Sequence, residues 1–256
     1  YAAWLERRPQ SWEVDAIAMV IDLCRETGCA VHIVHLSAGD ALPLLRRARA
    51  EGLPITVETC PHYLVLSAEE IGAGDTRFKC APPIRDADNR EALWRGLADG
   101  TIDQIVSDHS PCTPHLKLQE KGDFLEAWGG ISSLQFGLSS IWTAASSRGH
   151  GVAEVARWMC EAPARLAGLH AKGRLVVGAD ADVIAWDPGA SFVVSTEDME
   201  HRHKVSPWVG RKLRGTVEHA WLRGRAVLRD RRLVETPSGR PLLGGSNWDE
   251  MVERTE

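Results

Sequence analysis

The sequence predicts an α/β protein in which a parallel sheet with crossover helices is followed by a smaller β layer. Three observations carry this. Short β-branched runs alternate with amphipathic helical patterns up to residue 108, a rhythm that lays successive strands parallel. Helical patterns then dominate from about 132 to 169. From residue 173 the texture changes to short strands punctuated by Gly and Asp, the pattern of hairpins.

The elements follow in order. In "EVDAIAMVIDLCRET" (13–27), Val14, Ile17, Ile21 and Cys24 recur at helical spacing, and Gly28 stops the pattern. "AVHIVHLS" (30–37) is a β-branched strand, and "DALPLLRRARAEG" (40–52) is an amphipathic helix closed by Gly52. "PITVETC" (54–60) is a second strand, residues 67–72 and 88–99 are short helices, and "IDQIVSD" (102–108) is a third strand. "GRLVVGADADVIAWDPG" and "GTVEHAWLRGRAVLRDRRLVE" supply the later β layer, and residues 236–256 are expected to form a poorly ordered tail.

A length of 256 residues matches a whole (β/α)₈ barrel, but only three strands of the parallel kind precede the β-rich part. The expectation is therefore a partial barrel over 1–172 and a β segment over 173–235. With 44% hydrophobic residues the chain can bury a sizeable core. A net charge of −5 carries no nucleic-acid footprint, and no apolar run is long enough to span a bilayer. The chain opens on Tyr1 rather than Met, as expected of a processed end or a cut in a longer chain. Six cysteines without a CxxC pair fit reduced, cytoplasmic usage.

Working residues of α/β barrels sit at the carboxyl ends of strands. The first strand ends in His35 and the third in "SDHSPC", which makes His35 and Asp108 the candidates. Strict alternation would place His32 on the face opposite His35, and His109 opposite Asp108. "HRH" (201–203) has metal-like spacing, but Arg202 and Lys204 beside it oppose a cation, so a bracing role is expected. "KCAPPIRDADNREALW" (79–94) is a stiff turn into a helix, in which Cys80 and Ala81 would offer backbone groups to a small polar ligand. "AWGGISSLQ" (127–135) permits close backbone approach at Gly129 and Gly130. No G-x-S-x-G elbow is present, and nothing marks Cys60 or Cys112 as an activated thiol.

Taken together, "VHIVHLSAGDAL", "ITVETCPHYLVLSAEEI", "FKCAPPIRDADNREALW", "IDQIVSDHSPC", "FLEAWGGISSLQ" and "HRHKVSPWVGRKLRGTV" resemble, in order, the cyclic amidohydrolases. "SDHSPC", "AWGGISSLQ" and "HRHKVSPWVG" tilt the likeness to their allantoinase branch, and it covers roughly residues 1–230. The resemblance implies a metal-dependent TIM barrel with a flanking β-sandwich. It implies two divalent ions, usually zinc, held by a His-x-His pair, a carboxylated lysine, two further histidines and an aspartate. His35 and Asp108 answer to one histidine and the aspartate, while the other ligands would lie before Tyr1. His62 of "CPHYL" matches a position that is not usually a ligand. Cys80, Ser110, Trp128, Gly129 and Gly130 would border the substrate, and Asp108 would also carry a proton during hydrolysis.

The activity so implied is opening of allantoin to allantoate in purine catabolism, by a homotetramer. The rival readings are a hydantoinase or dihydropyrimidinase, and a non-catalytic scaffold of the same fold. With one ligand per ion, the chain alone is expected to bind no stoichiometric zinc, to be inactive, and to aggregate through open sheet edges.

Overall fold

The computed structural model describes residues 1–234 and 239–242. Helix α1 (Ala2–Glu6) leads into α2 (Gln10–Thr27), which buries Ile17, Ile21 and Cys24. Gly28 ends α2 at φ 69°, where its N–H reaches the Cys24 carbonyl at 2.8 Å. Lacking a Cβ, glycine takes this left-handed position without strain.

Strand β1 (Val31–Ile33), helix α3 (Leu42–Ala50), strand β2 (Ile55–Thr59), helices α4 (Pro61–Val65) and α5 (Ala87–Ala98), and strand β3 (Gln104–Ile105) follow. The strands pair in the order β1-β2-β3 and all run parallel, with Val31 opposite Ile55 and Glu58 opposite Gln104. Burial alternates along β2, so Ile55, Val57 and Thr59 face the interior. Leu36, Leu45, Leu64, Leu93, Leu97 and Ile105 share that core. Thr56 and Glu58 occupy the other face and build a polar ladder there. His32 Nε2 donates to the Glu58 carboxylate at 2.9 Å and Gln104 Nε2 donates to it at 3.0 Å. His32 Nδ1 lies 2.8 Å from Thr56 Oγ1.

Two strands are shorter than the periodicity predicts. β1 stops at Ile33 and β3 at Ile105, and beyond them the chain passes through the left-handed region at His35 (φ 38°) and Asp108 (φ 40°). The alternation rule therefore does not reach either tip. Pro61–Val65, which reads as the run-out of a strand, is a helical turn with Pro61 at its first position, where a missing N–H costs nothing. Residues 67–72 give only a 3₁₀ turn, Ala68–Glu70.

Helices α6 (Gly137–Ser147), α7 (Val152–Ala156) and α8 (Ala162–Leu166) follow, the last two joined by a π-helical turn at Arg157–Glu161. The second sheet is antiparallel, in the order β4 (Val183–Val193), β5 (Lys212–Leu222), β6 (Arg225–Arg229) and β7 (Arg232–Leu233). It docks on α6, where Ser139 Oγ donates to the Gly215 carbonyl at 2.6 Å and the Trp142 and Trp186 rings meet edge to face at 5.3 Å. Apart from 239–242, the expected tail at 236–256 lies outside the described residues. Among the described residues no helix is long and apolar enough to cross a membrane.

Candidate functional site

The site is built where β1 and β3 end. A non-glycine residue at positive φ costs on the order of 1 kcal/mol or more, so such a turn persists only where its surroundings impose it. At His35 they do. The Leu36 N–H donates to the Glu58 carbonyl at 2.8 Å, and Thr59 Oγ1 donates to the Leu36 carbonyl at 2.8 Å. The Ser37 N–H donates to Glu13 Oε1 at 2.7 Å, and its hydroxyl to the Pro83 carbonyl at 2.7 Å. At Asp108 the restraint comes from both sides. The Val106 N–H donates to the Thr59 carbonyl at 3.0 Å, and the Ser110 N–H to the Ile131 carbonyl at 3.0 Å.

These two turns face the start of α4. The donor atoms of Cys60, His62 and Asp108 all lie within 4.8 Å of one another. Cys60 and His62 are fully buried, and neither ring nitrogen of His62 has a hydrogen-bond partner. Burial, reinforced by the nearby His35 imidazole, pushes the His62 pKa down to about 3, so the ring is neutral. Burial raises the Asp108 carboxyl above the usual carboxylate range, while His35 and the Ser110 hydroxyl pull it back. Burial also pushes the Cys60 thiol well up, with Asp108 and Glu58 adding to the effect. Imidazole, thiol and carboxylate are the donors that hold zinc-type ions. Three donors converge, and the His35 imidazole acts electrostatically on His62 and Asp108. They fall short of the set that two divalent ions would need.

The residues expected to border a substrate gather beside Asp108. Ser110 Oγ donates to the Asp108 carbonyl at 2.7 Å and lies 3.4 Å from its Oδ1. Gly130 sits at φ 116° with its N–H 2.9 Å from the Lys79 carbonyl, so close to Ser110 that a Cβ would stand 2.5 Å from the Ser110 oxygen. Gly129 lies alongside Cys80, whose thiol is buried and, through that burial, pushed up to about 12. The Trp128 ring is exposed.

A buried lysine ties these walls together. Lys117 Nζ donates to the Lys79 carbonyl at 3.3 Å and to the Gly130 carbonyl at 2.5 Å, and burial lowers its pKa. Of the "HRH" histidines, His201 stacks on His109 at 5.6 Å. His109 Nδ1 accepts the Leu134 N–H at 3.2 Å. Sequence reasoning missed Cys60, His62 and Lys117. Only Cys-x-His directly after a strand, with Pro61 opening the helix, hinted at the first two.

The amidohydrolase family model matches residues 7–227. The allantoinase of Streptomyces avermitilis is 48% identical over 242 residues, covering 94% of this chain and 54% of that protein. The allantoinase of Arabidopsis thaliana is 48% identical, covering 89% of this chain and 47% of that one. Among solved structures, the L-hydantoinase (dihydropyrimidinase) of Arthrobacter aurescens aligns with a TM-score of 0.82 at 30% identity, over 89% of this chain and 51% of that one. The dihydropyrimidinase of Brevibacillus agri aligns with a TM-score of 0.83 at 27% identity, over 89% of this chain and 50% of that one. The chain spans about half the length of the curated relatives it matches.

Proposed function

The chain belongs to the amidohydrolase family, and we propose that it is the C-terminal part of an allantoinase that opens the cyclic amide of allantoin to give allantoate. In this reading residues 1–172 are part of a TIM barrel and 173–235 part of a β-sandwich. The complete protein would carry two divalent ions, zinc by preference, with His35 on one and Asp108 on the other. The observation that carries the reading is the pair of left-handed turns, at His35 and Asp108, on the carboxyl ends of strands from one parallel sheet.

A bound divalent ion supplies polarisation of the amide carbonyl and a lowered pKa for water. The chain's own residues do the rest. Asp108, at the tip of β3 beside Ser110, is the carboxylate placed to carry a proton. It takes the proton of the attacking water and returns it to the ring nitrogen as the C–N bond breaks. Ser110, whose hydroxyl donates to the Asp108 backbone carbonyl and lies 3.4 Å from its Oδ1, stands next to the place for substrate. Gly129 and Gly130 leave room for a planar ring, and Trp128 offers an apolar cover at the rim. Six free cysteines suit a cytoplasmic enzyme, and a homotetramer is the assembly the resemblance implies.

The hydantoinase-type solved structures favour a second reading, ring opening of hydantoins or dihydropyrimidines. One experiment separates the readings. The chain is joined to the N-terminal half of the Streptomyces avermitilis allantoinase, loaded with zinc, and assayed on allantoin, hydantoin and dihydrouracil. Allantoin is expected to be opened preferentially, and Asp108→Asn to abolish turnover. Preference for hydantoin or dihydrouracil would install the second reading. A metal-loaded chimera that opens none of the three would point to a scaffold.

A further inference from the structure

The proton transfers assigned to Asp108 leave two buried lysines beside the site without a role. Lys79 is 7% exposed and Lys117 is 3% exposed. Lys79 Nζ donates to the Leu125 carbonyl at 3.1 Å and to that of Ala127, and lies 4.4 Å from the centre of the Trp4 ring. Lys117 Nζ donates to the carbonyls of Lys79 and Gly130. Among the described residues, the hydrogen-bond acceptors of both ammonium groups are main-chain carbonyls, with no carboxylate among them. A buried cation without a counter-ion is costly, and a methionine would fill the same space without that cost. What Lys117 supplies instead is a cluster of donors at one fixed point.

That point joins two stretches of chain far apart in sequence. The Gly130 N–H donates to the same Lys79 carbonyl at 2.9 Å, so the ammonium closes a ring through residues 79 and 130. Lys79 leads directly into Cys80 and Ala81, and Gly130 ends the Trp128–Gly130 stretch. On its other side Gly130 packs against Ser110. We propose that Lys117 is a positioning residue for ring opening, locking residues 79–81 and 128–130 into one rigid wall against which a planar cyclic amide is held. This inference rests on the cyclic-amide reading of the site. Lys117 acts through those two backbone stretches rather than on the reacting atoms. The turn at Asp108 has its own restraints, from the Val106 and Ser110 N–H groups, so loss of the ammonium weakens binding more than it slows chemistry.

Steady-state kinetics of the zinc-loaded chimera, on whichever of allantoin, hydantoin and dihydrouracil it opens, tests this. Lys117→Met keeps the bulk and removes the donors. It should raise KM about tenfold, the loss expected of hydrogen bonds from a charged donor, with kcat within about threefold of the parent. Lys117→Gln, which keeps a neutral donor, should fall between the two. Thr76→Val is the control, because the buried Thr76 hydroxyl donates to the Lys117 carbonyl and anchors the same segment without reaching Gly130. It should lower the urea midpoint and leave KM within about twofold. An unchanged KM in Lys117→Met, a loss confined to kcat, or an equal rise in KM for Thr76→Val would overturn the proposal. So would failure of both Lys117 variants to fold where Thr76→Val folds, which would make the lysine a prop of the core. A parent chimera that opens none of the three compounds defeats the cyclic-amide reading and this inference with it; an active parent with an unaffected Lys117→Met defeats this inference alone.

Discussion

Neighbouring glycines in "AWGGIS" give a sharp test of how the strand tip is held. Gly130 lies at φ 116°, and a Cβ there would meet the Ser110 carbonyl oxygen at 2.5 Å and the Ser110 Cβ at 2.7 Å. Forcing alanine into that backbone region costs about 1–3 kcal/mol. Relieving the overlap costs about another 1–3 kcal/mol, because the opposing atoms belong to backbone and a short side chain that cannot swing away. Gly130→Ala should therefore lose about 3 kcal/mol, which at about 2 kcal/mol per molar urea moves the midpoint down by about 1.5 M. Gly129 lies outside the left-handed region, and its nearest neighbour would be the Cys80 Cα at 3.9 Å, an ordinary contact. Gly129→Ala should change stability by less than about 1 kcal/mol. Urea unfolding followed by fluorescence of the ten tryptophans gives the assay. Equal midpoints for the two variants would refute the packing of Gly130 on Ser110 and, with it, the account of how Asp108 is oriented.

Two further outcomes are expected. Arg148 Nε donates to Glu91 at 3.0 Å, and the guanidinium holds that carboxyl below the usual range. A depressed folded-state pKa adds stability above the unfolded value of about 4.5 that is lost as pH falls through the folded one. Glu91 is 40% exposed, so Glu91→Gln should cost under about 1 kcal/mol at pH 7 and nothing in stronger acid. A penalty independent of pH would sink this. On α2, Trp12, Met19 and Leu23 form an exposed apolar stripe at 64%, 60% and 51%. Replacing Met19 and Leu23 by glutamate should reduce light scattering without lowering the urea midpoint; a lowered midpoint would show that the stripe is packed.

Local signals made the helices legible. Gly28 ends α2 where the sequence pattern says it should, because a left-handed glycine cap is a property of a few adjacent residues. Strand order was legible too, since alternation of strand and helix leaves little but a parallel sheet. Strand length was not. The run 102–108 is apolar enough for a full strand, yet pairs as a strand only at Gln104–Ile105, because ladder length depends on what Thr59 and Ile131 offer across the gap. "RLVV" (174–177) fails in the opposite way. Its β-branched residues lie exposed outside any strand, and the sheet begins only at Val183, since propensity without a pairing neighbour forms nothing.

For the candidate site, the placement of His35 and Asp108 beyond the carboxyl ends of β1 and β3 could be read in advance, because each closes a strand-like run, and the resemblance singled out the same two. Cys60 and His62 could not, for a physical reason. Whether an imidazole is a solvated rim residue or a buried donor without a partner depends on long-range packing, and "TCPHYL" is silent on that. The alternation argument was also limited by the site itself. It assumes extended backbone, whereas the residues that matter sit where His35 and Asp108 have left it. At a strand tip the side chain's direction is set by hydrogen bonds that hold a strained turn, here from Glu58, Thr59 and Ile131. A tip whose side chain must be aimed at α4 is therefore the place where a period-2 reading loses its authority. Beyond the last paired residue of β3, the left-handed turn at Asp108 sets its carboxylate within 4.8 Å of a His62 ring nitrogen.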